Sequence, residues 1–359
     1  LPPSSGRRRH RLLVDIGWVA VVIAGAIVVV LGNRERTTAP WPPRSVAASR
    51  AAVARDPLDP TTLRNLGLAL DRAGDAAGAD RLMTLAWERT RRDTPTTAWL
   101  LVRRLAQGRY PEALATADAL VRRDPDDRTR ERLFQLLIAA AHYDVSRPAL
   151  IARLAEAPWW RPAFMREFVA TADPADSHAV VAGLAATANP PTPPELDAYL
   201  TRLVAGHAYA DAARDWRAFS RPRRDPDAIG DLDAPPPFGW SPAFGEGASS
   251  AVEDGALRVD YDGYGAARLP VRSLALSPGR YTVTWRERAS GDDIGRIAVN
   301  IGCGEAATML ASTAPTQRRL DFEVPTNGCE GQTLAITALP GERRASMTAL
   351  FDRWSLGRR

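Results

Sequence analysis

Residues 63–125, LRNLGLALDRAGDAAGADRLMTLAWERTRRDTPTTAWLLVRRLAQGRYPEALATADALVRRDP, decide how the chain is read. Gly74 and Gly108 are 34 residues apart, and so are Ala79 and Ala113. Leu63, Leu66, Gly67 and Leu70 recur at helical spacing, and Ala79, Met83 and Ala86 do so after Gly74. Each copy therefore reads as two helices joined by a glycine turn. Small residues at Gly67, Ala79 and Ala86 let the helices approach, and the large ones fill the groove between copies. The second copy keeps Leu100, Gly108, Tyr110, Ala113 and a closing Asp124-Pro125. It departs at Leu101, which stands where the first copy has Gly67, and at Arg104, which stands for Leu70.

The period and these slots resemble the tetratricopeptide (TPR) repeat. The resemblance implies a scaffold whose concave face, made mainly by the first helix of each pair, takes a peptide or partner protein. Candidate partner-binding residues are then Arg64, Asn65, Asp71, Arg103 and Arg104, each with a plain solvated helix face as its other reading. Upstream, Ser45–Arg55 before Asp56-Pro57 reads as a terminal cap. Downstream, Arg130–Ala155 reads as another pair, and Gly206-His207-Ala208-Tyr209 leading to Ala212 restores the Gly-x-x-Tyr-x-x-Ala turn. Between them, Trp159-Trp160-Arg161-Pro162 and Asn189–Pro194 mark loops; Trp159 and Trp160 either anchor their loop in the core or form a partner patch. A TPR-like helical domain is expected over 45–222.

The N-terminus gives the chain a direction. Arg7-Arg8-Arg9-His10-Arg11 precedes an apolar run, and residues 12–32 are long enough to cross a hydrocarbon core of ~30 Å as a helix. Asp15 and Trp18 fall at its start, where the interface tolerates both. The arginines before the run outweigh Arg34 and Arg36 after it, so residues 1–11 are expected in the cytoplasm and the bulk outside. In a bacterium this is a single-pass inner-membrane anchor with a periplasmic body. A cleaved signal peptide is the alternative, disfavoured by the length of the run and the lack of a small-x-small site. Residues 33–44, with TTAPWPPR, read as a stiff Pro-rich spacer.

Composition narrows the function classes. A chain of 359 residues with 45% hydrophobic content has room for two folded domains and an appendage. All 47 basic residues are Arg, 42 acidic residues are interspersed with them, and the net charge is +5. That describes a mixed solvated surface rather than a nucleic-acid face. There is no P-loop, Gly-x-Ser-x-Gly or dinucleotide fingerprint, and His10, His142, His178 and His207 never pair at i,i+4. Two cysteines cannot build a four-thiolate zinc site. No cofactor, metal or nucleic acid is expected. Asp292-Asp293, and Asp260 with Asp262, read as turn or strand-edge carboxylates rather than a glycosidase pair.

Beyond a charged, Pro-rich linker at 223–235, the period changes to two. Leu257, Val259 and Tyr261 alternate with polar residues; so do Tyr281, Val283 and Trp285, and Ile297, Val299 and Ile301. Leu320, Phe322 and Val324, Leu334 and Ile336, and a last run to Trp354 follow. Short strands at this spacing predict an antiparallel β-sandwich over 236–359. Leu276-Ser277-Pro278-Gly279-Arg280-Tyr281, Phe322-Glu323-Val324-Pro325 and Phe351-Asp352-Arg353-Trp354-Ser355-Leu356 resemble the galactose-binding-like, carbohydrate-binding-module jelly roll.

That resemblance implies a sugar site with an aromatic platform and polar side chains. Its candidates are Tyr264, carried on a loop, with Trp240, Tyr261 and Arg286; Trp285 belongs to the inward set. Outside the cytoplasm, Cys303 and Cys329 are expected to form a disulfide, two free buried thiols being the alternative. The expected fold class is thus multidomain α + β: a transmembrane helix, a TPR-like solenoid and a β-sandwich. Its composition resembles TPR proteins of bacterial exopolysaccharide assembly and export. The expected function is a membrane-anchored periplasmic scaffold or binding protein that contacts proteins and a polysaccharide. A protein-interaction adaptor is the alternative, and a carbohydrate-active enzyme the least favoured class.

Overall fold

A computed structural model describes residues 45–359, apart from 124–126, 244–246, 264–268, 292–296, 305–307, 315–316 and 339–345. The expected membrane span at 12–32 and spacer at 33–44 lie outside the described residues. Among the described residues, no helix is long and apolar enough to cross a membrane. The chain divides into two units, the first ending at Pro190 and the second running Pro191–Arg359.

The first unit is helical: α1 (Val46–Arg55), α2 (Pro60–Arg72), α3 (Ala76–Arg89), α4 (Thr94–Ala106), α5 (Tyr110–Arg123), α6 (Asp127–His142), α7 (Arg147–Ala155), α8 (Arg161–Thr171) and α9 (Pro174–Ala185). The starts of α2, α3 and α4 are set by carboxylate caps that satisfy orphan N–H groups. Asp59 accepts from Thr61 and Thr62 N, Asp75 from Gly78 N at 2.8 Å, and Asp93 from Thr96 N at 3.0 Å. The two copies end their first helices alike. Asp75 N donates to Leu70 O at 3.0 Å and Arg109 N to Arg104 O at 2.9 Å, around Gly74 (φ 85°) and Gly108 (φ 70°). This is the left-handed helix stop that glycine adopts without a Cβ clash.

Close packing within α2–α3 depends on Gly67, where an added Cβ would stand 2.9 Å from the Met83 side chain. Arg104, the misfit in the second copy, is buried. Its Nη1 donates to Thr116 Oγ1 and Glu112 O on α5, and its guanidinium lies 5.2 Å from the Trp87 ring centre. Its stem fills the leucine slot while its head closes the α4–α5 hairpin. Pairing becomes irregular beyond this point, since α5 packs on α7 as well as on α6. An aromatic chain, Phe134–Trp160–Phe164–Phe168, fills that region, with neighbouring ring centres 5.5–6.2 Å apart.

The second unit opens with two more helices, α10 (Pro193–Ala205) and α11 (Tyr209–Phe219). Glu195 Oε2 accepts from Thr192 N at 2.9 Å, a capping box that starts α10. Tyr199 OH donates to Asp215 Oδ2 at 2.6 Å and ties the pair together. The stop between them repeats the earlier geometry, with Ala208 N donating to Leu203 O at 2.8 Å. Here the left-handed position is occupied by His207 (φ 62°), not by Gly206 (φ −85°).

Nine strands follow among the described residues: β1 (Ala248–Glu253), β2 (Ala256–Tyr261), β3 (Val271–Leu274), β4 (Gly279–Gly291), β5 (Ile297–Cys303), β6 (Thr308–Ser312), β7 (Arg319–Val324), β8 (Gln332–Ala338) and β9 (Met347–Arg358). They form a five-stranded sheet, β1-β2-β9-β4-β7, and a four-stranded sheet, β3-β8-β5-β6, with every pairing antiparallel. The alternating residues meet between the sheets as expected: Val259, Val283, Trp285 and Phe351 from one, Val299, Ile301, Leu334 and Ile336 from the other. Each buried side chain of this size contributes about 1.5–3 kcal/mol.

A bulge controls the aromatic centre of this core. Thr284 opposes Ser355 and Arg286 opposes Asp352, so one residue of β4 faces two of β9, and Arg353 takes φ 54°. The extra residue lets both Phe351 and Trp354 point inward, which strict alternation forbids. Trp354 then stacks 5.3 Å from Trp285, and Trp240 lies 4.9 Å from it.

The expected boundary between helices and sandwich, 223–235, falls inside this second unit. Ile229 and Phe238 are buried there, and Trp216 of α11 meets Phe238 edge-on at 5.5 Å. The α10–α11 pair therefore keeps company with the sandwich. Tyr209 lies flat on Gly331, whose missing Cβ leaves room for the ring. Beside it, Gly304 N donates to Gly331 O at 2.9 Å. The Cys303–Cys329 disulfide forms as expected and closes this corner. Gln332, fully buried, accepts from Leu276 N at 2.8 Å and donates to Cys329 O at 3.1 Å, joining the Leu276–Tyr281 turn to the disulfide loop.

Candidate functional site

The outer face of the five-stranded sheet is built by the residues that alternate with its core. β4 contributes Arg280, Thr282, Thr284, Arg286 and Arg288; β9 contributes Thr348, Leu350 and Asp352; β2 contributes Arg258 and Asp260; β7 contributes Arg319, Asp321 and Glu323. Antiparallel register sets opposite charges side by side. Arg286 grips Asp352 with two N–H groups, Nε at 2.6 Å, and Arg288 reaches the same carboxylate at 3.2 Å. Asp260 accepts from Arg258 Nη2 at 3.2 Å, two residues along the same strand, and from Thr348 Oγ1 at 2.6 Å. Asp321 takes Thr282 Oγ1 at 2.6 Å and Arg359 Nη2 at 2.7 Å.

The hydrogen bonds from Arg286 hold the Asp352 carboxyl below its ordinary value, and the same bonds raise the Arg286 guanidinium. On the core side of the strand, burial pushes the Glu287 carboxyl up, offset in part by Arg318 at 3.1 Å. The result is a broad face of arginines, carboxylates and hydroxyls without an aromatic ring among the residues named. It can exchange hydrogen bonds with a polar chain laid across the strands. The residues named offer no stacking platform.

Of the expected glycan-binding residues that are described, the structure brings only Arg286 to this face. Trp240 and Tyr261 are buried in the sandwich core and present no ring to solvent. They read as candidates because aromatic residues serve cores and platforms alike; which role they take depends on neighbours distant in sequence. Tyr264 lies outside the described residues. The residues that sequence reasoning passed over are Arg288 and Asp352. The Arg286-Glu287-Arg288 alternation on a strand was the available signal for the first. Asp352 needed the bulge, which no pattern announced.

The partner-binding candidates scatter. Arg64 is paired with Asp93 and shares Asn65 Oδ1 at 3.4 Å. Arg103 is half-buried, and Arg104 is the internal clip described above. Trp160 is buried, its Nε1 donating to Asp118 Oδ1 at 2.6 Å, while Trp159 is 59% exposed. Among the described residues, no cluster of His, Cys, Asp and Glu is placed to hold a metal ion.

No protein-family model matches the chain, and a search of curated proteins finds no relative. Solved structures show local likeness to carbohydrate-binding modules. One described as "CBM4 structure and function" is 16% identical, covering 36% of this chain and 94% of that one at a TM-score of 0.27. The N-terminal cellulose-binding domain of Cellulomonas fimi β-1,4-glucanase C is 20% identical, covering 38% and 98% at 0.26. TmCBM61, in complex with β-1,4-galactotriose, is 15% identical, covering 33% and 88% at 0.23.

Proposed function

We propose that the chain is a membrane-anchored scaffold, facing an oxidising compartment, that handles a polysaccharide during its assembly or export. The observation that carries the reading is the polar outer face of the five-stranded sheet, centred on Arg286, Arg288 and Asp352. Guanidinium groups with their N–H forks, beside threonine hydroxyls, suit a glycan bearing hydroxyl and carboxylate groups. The helices of the first unit, read as TPR-like pairs, supply contacts to partner proteins. The Cys303–Cys329 disulfide supports a compartment outside the bacterial cytoplasm, and the apolar run at 12–32 supports the inner-membrane anchor.

The test is binding of the detergent-solubilised chain to immobilised acidic and neutral polysaccharides, with Arg286→Ala/Arg288→Ala and Tyr264→Ala beside it. Saturable binding to acidic polymers, lost in the double arginine variant, supports the reading. Absence of binding across the panel sinks it. A second reading, a protein-interaction adaptor, is favoured by one observation: Trp159, a large aromatic left in solvent on the helical unit. Capture of a protein partner that depends on Trp159, without any glycan binding, would select it.

A further inference from the structure

A concavity lies inside the Pro191–Arg359 unit, on a different face of the sandwich. α10 contributes Asp197, Thr201 and Val204; the 236–241 segment contributes Pro236, Pro237 and Ser241; and β3 and β8 contribute Val271, Arg272, Ser273, Thr333 and Ala335. The cleft encloses about 440 Å³. Register places Val271 opposite Ala335 and Ser273 opposite Thr333, so these four share the outer face of the four-stranded sheet. The 236–241 segment is laced to the edge of β3, with Ser241 N donating to Val271 O at 2.7 Å and Ser273 N to Pro237 O at 2.8 Å. That volume is at the small end of ligand sites, which run from ~300 to ~1,000 Å³.

The chemistry of the lining is specific. Four hydroxyl side chains, Thr201, Ser241, Ser273 and Thr333, line the cleft together with one carboxyl, Asp197. Thr201 Oγ1 is 3.4 Å from Asp197 Oδ1, a long bond, and Thr333 Oγ1 donates to Gly304 O at 2.7 Å. Burial pushes the Asp197 carboxyl up, with only the Thr201 hydrogen bond opposing it. No ion pair to Asp197 is found among the described residues. Arg272 is 2% exposed and turned away to the carbonyls of Pro226 and Phe238. Its charge is felt by Asp227 and Asp231 rather than by Asp197, and its head is not offered to a ligand. A half-desolvated carboxylate gains from a ligand that donates hydrogen bonds and is disfavoured by one that is itself anionic. Hydroxyls, which both donate and accept, suit the same kind of partner.

We infer that this cleft binds a small, neutral, hydroxyl-rich ligand, a single sugar unit or the end unit of a glycan, with Asp197 accepting hydrogen bonds from its hydroxyls. The inference goes beyond the polysaccharide reading, because the cleft shares no residue with the Arg286–Asp352 face.

The test is ligand-observed NMR titration of the full chain in detergent. The probes are glucose, galactose and mannose, each free and as a short oligosaccharide, with glucuronate for comparison. At least one neutral sugar should bind saturably, glucuronate should not, and Asp197→Ala should weaken binding by about 10-fold or more. Arg286→Ala should leave it unchanged, which separates this site from the sheet face. Preference for the oligosaccharide assigns a chain end; equal binding assigns a free sugar. If Asp197→Ala lowers the melting temperature, Thr333→Val, which removes one hydroxyl and keeps the shape, takes its place. Binding that survives both variants, tighter binding of glucuronate, or no binding by any neutral sugar overturns the inference.

Discussion

Replacing Gly331 by alanine would put a methyl group into the ring of Tyr209. An ideal Cβ on Gly331 falls against Cγ, Cδ1 and Cδ2 of that ring, so the ring must retreat by more than about 1 Å to restore a carbon–carbon spacing of ~3.5 Å. It has little room to do so. Tyr209 is 2% exposed, and the atoms blocked are those nearest its own backbone, which a rotamer change moves least. Overpacking of this kind costs about 1–3 kcal/mol. Tyr209→Ala on its own removes a buried aromatic ring, a loss of ~3–5 kcal/mol.

In that second background the methyl group enters vacated space, and Gly331→Ala should cost less than about 0.5 kcal/mol. The double-mutant cycle should then show a coupling of roughly 0.5–3 kcal/mol. Urea unfolding followed by tryptophan fluorescence is the assay, because Trp240, Trp285 and Trp354 sit together in the sandwich core and report its loss. The same transition must be compared across all four proteins, since a chain of two units need not unfold in one step. An equal cost for Gly331→Ala in both backgrounds would refute the packing of α11 on the disulfide corner.

Three further outcomes follow from other places in the fold. Cys303→Ala/Cys329→Ala opens a loop whose ends are 26 residues apart and should lower the stability of the second unit by ~3.5 kcal/mol, read as a fall in urea midpoint. His207→Gly should raise the melting temperature, by the equivalent of about 0.5–1 kcal/mol, because an exposed side chain at φ 62° is replaced by the residue found at the two matching stops. Asp352 and Glu287 should tilt stability in opposite directions with pH. Asp352, held low in the fold, stabilises above its unfolded value and loses that contribution as pH falls through its folded one; Asp352→Asn should therefore differ most from the parent near neutral pH. Glu287, pushed up, takes its proton first in the fold, so its effect becomes more favourable as pH falls from neutrality towards its unfolded value. Unfolding midpoints of Glu287→Gln across that window should lack this gain.

Local chemistry carried much of the fold into the sequence. The helical hairpins from Leu63 to Pro125 were legible because their spacing, small-residue slots and glycine stops all act within a few turns of chain. The strands were legible because burial on one face imposes a period of two. The cysteine pair could be matched because no other thiol competes. What only the tertiary structure decided are relations between distant segments. Arg104 became an internal clip because Trp87 and Thr116 meet it. Trp240 became core where the bulge at Arg353 turns Trp354 inward to pack beside it, and Tyr261 became core on the inner face of β2 opposite Met347. Arg286, outward by the alternation of β4, found its fixed partner in Asp352 beside the same bulge. The α10–α11 pair joined the sandwich because Gly331 is bare where Tyr209 lands, and the cleft beside Asp197 exists only once that landing is made. Patterns of period and composition record which face of an element is buried; they do not record what it is buried against, because that is set by contacts across more than a hundred residues of chain, such as Tyr209 on Gly331.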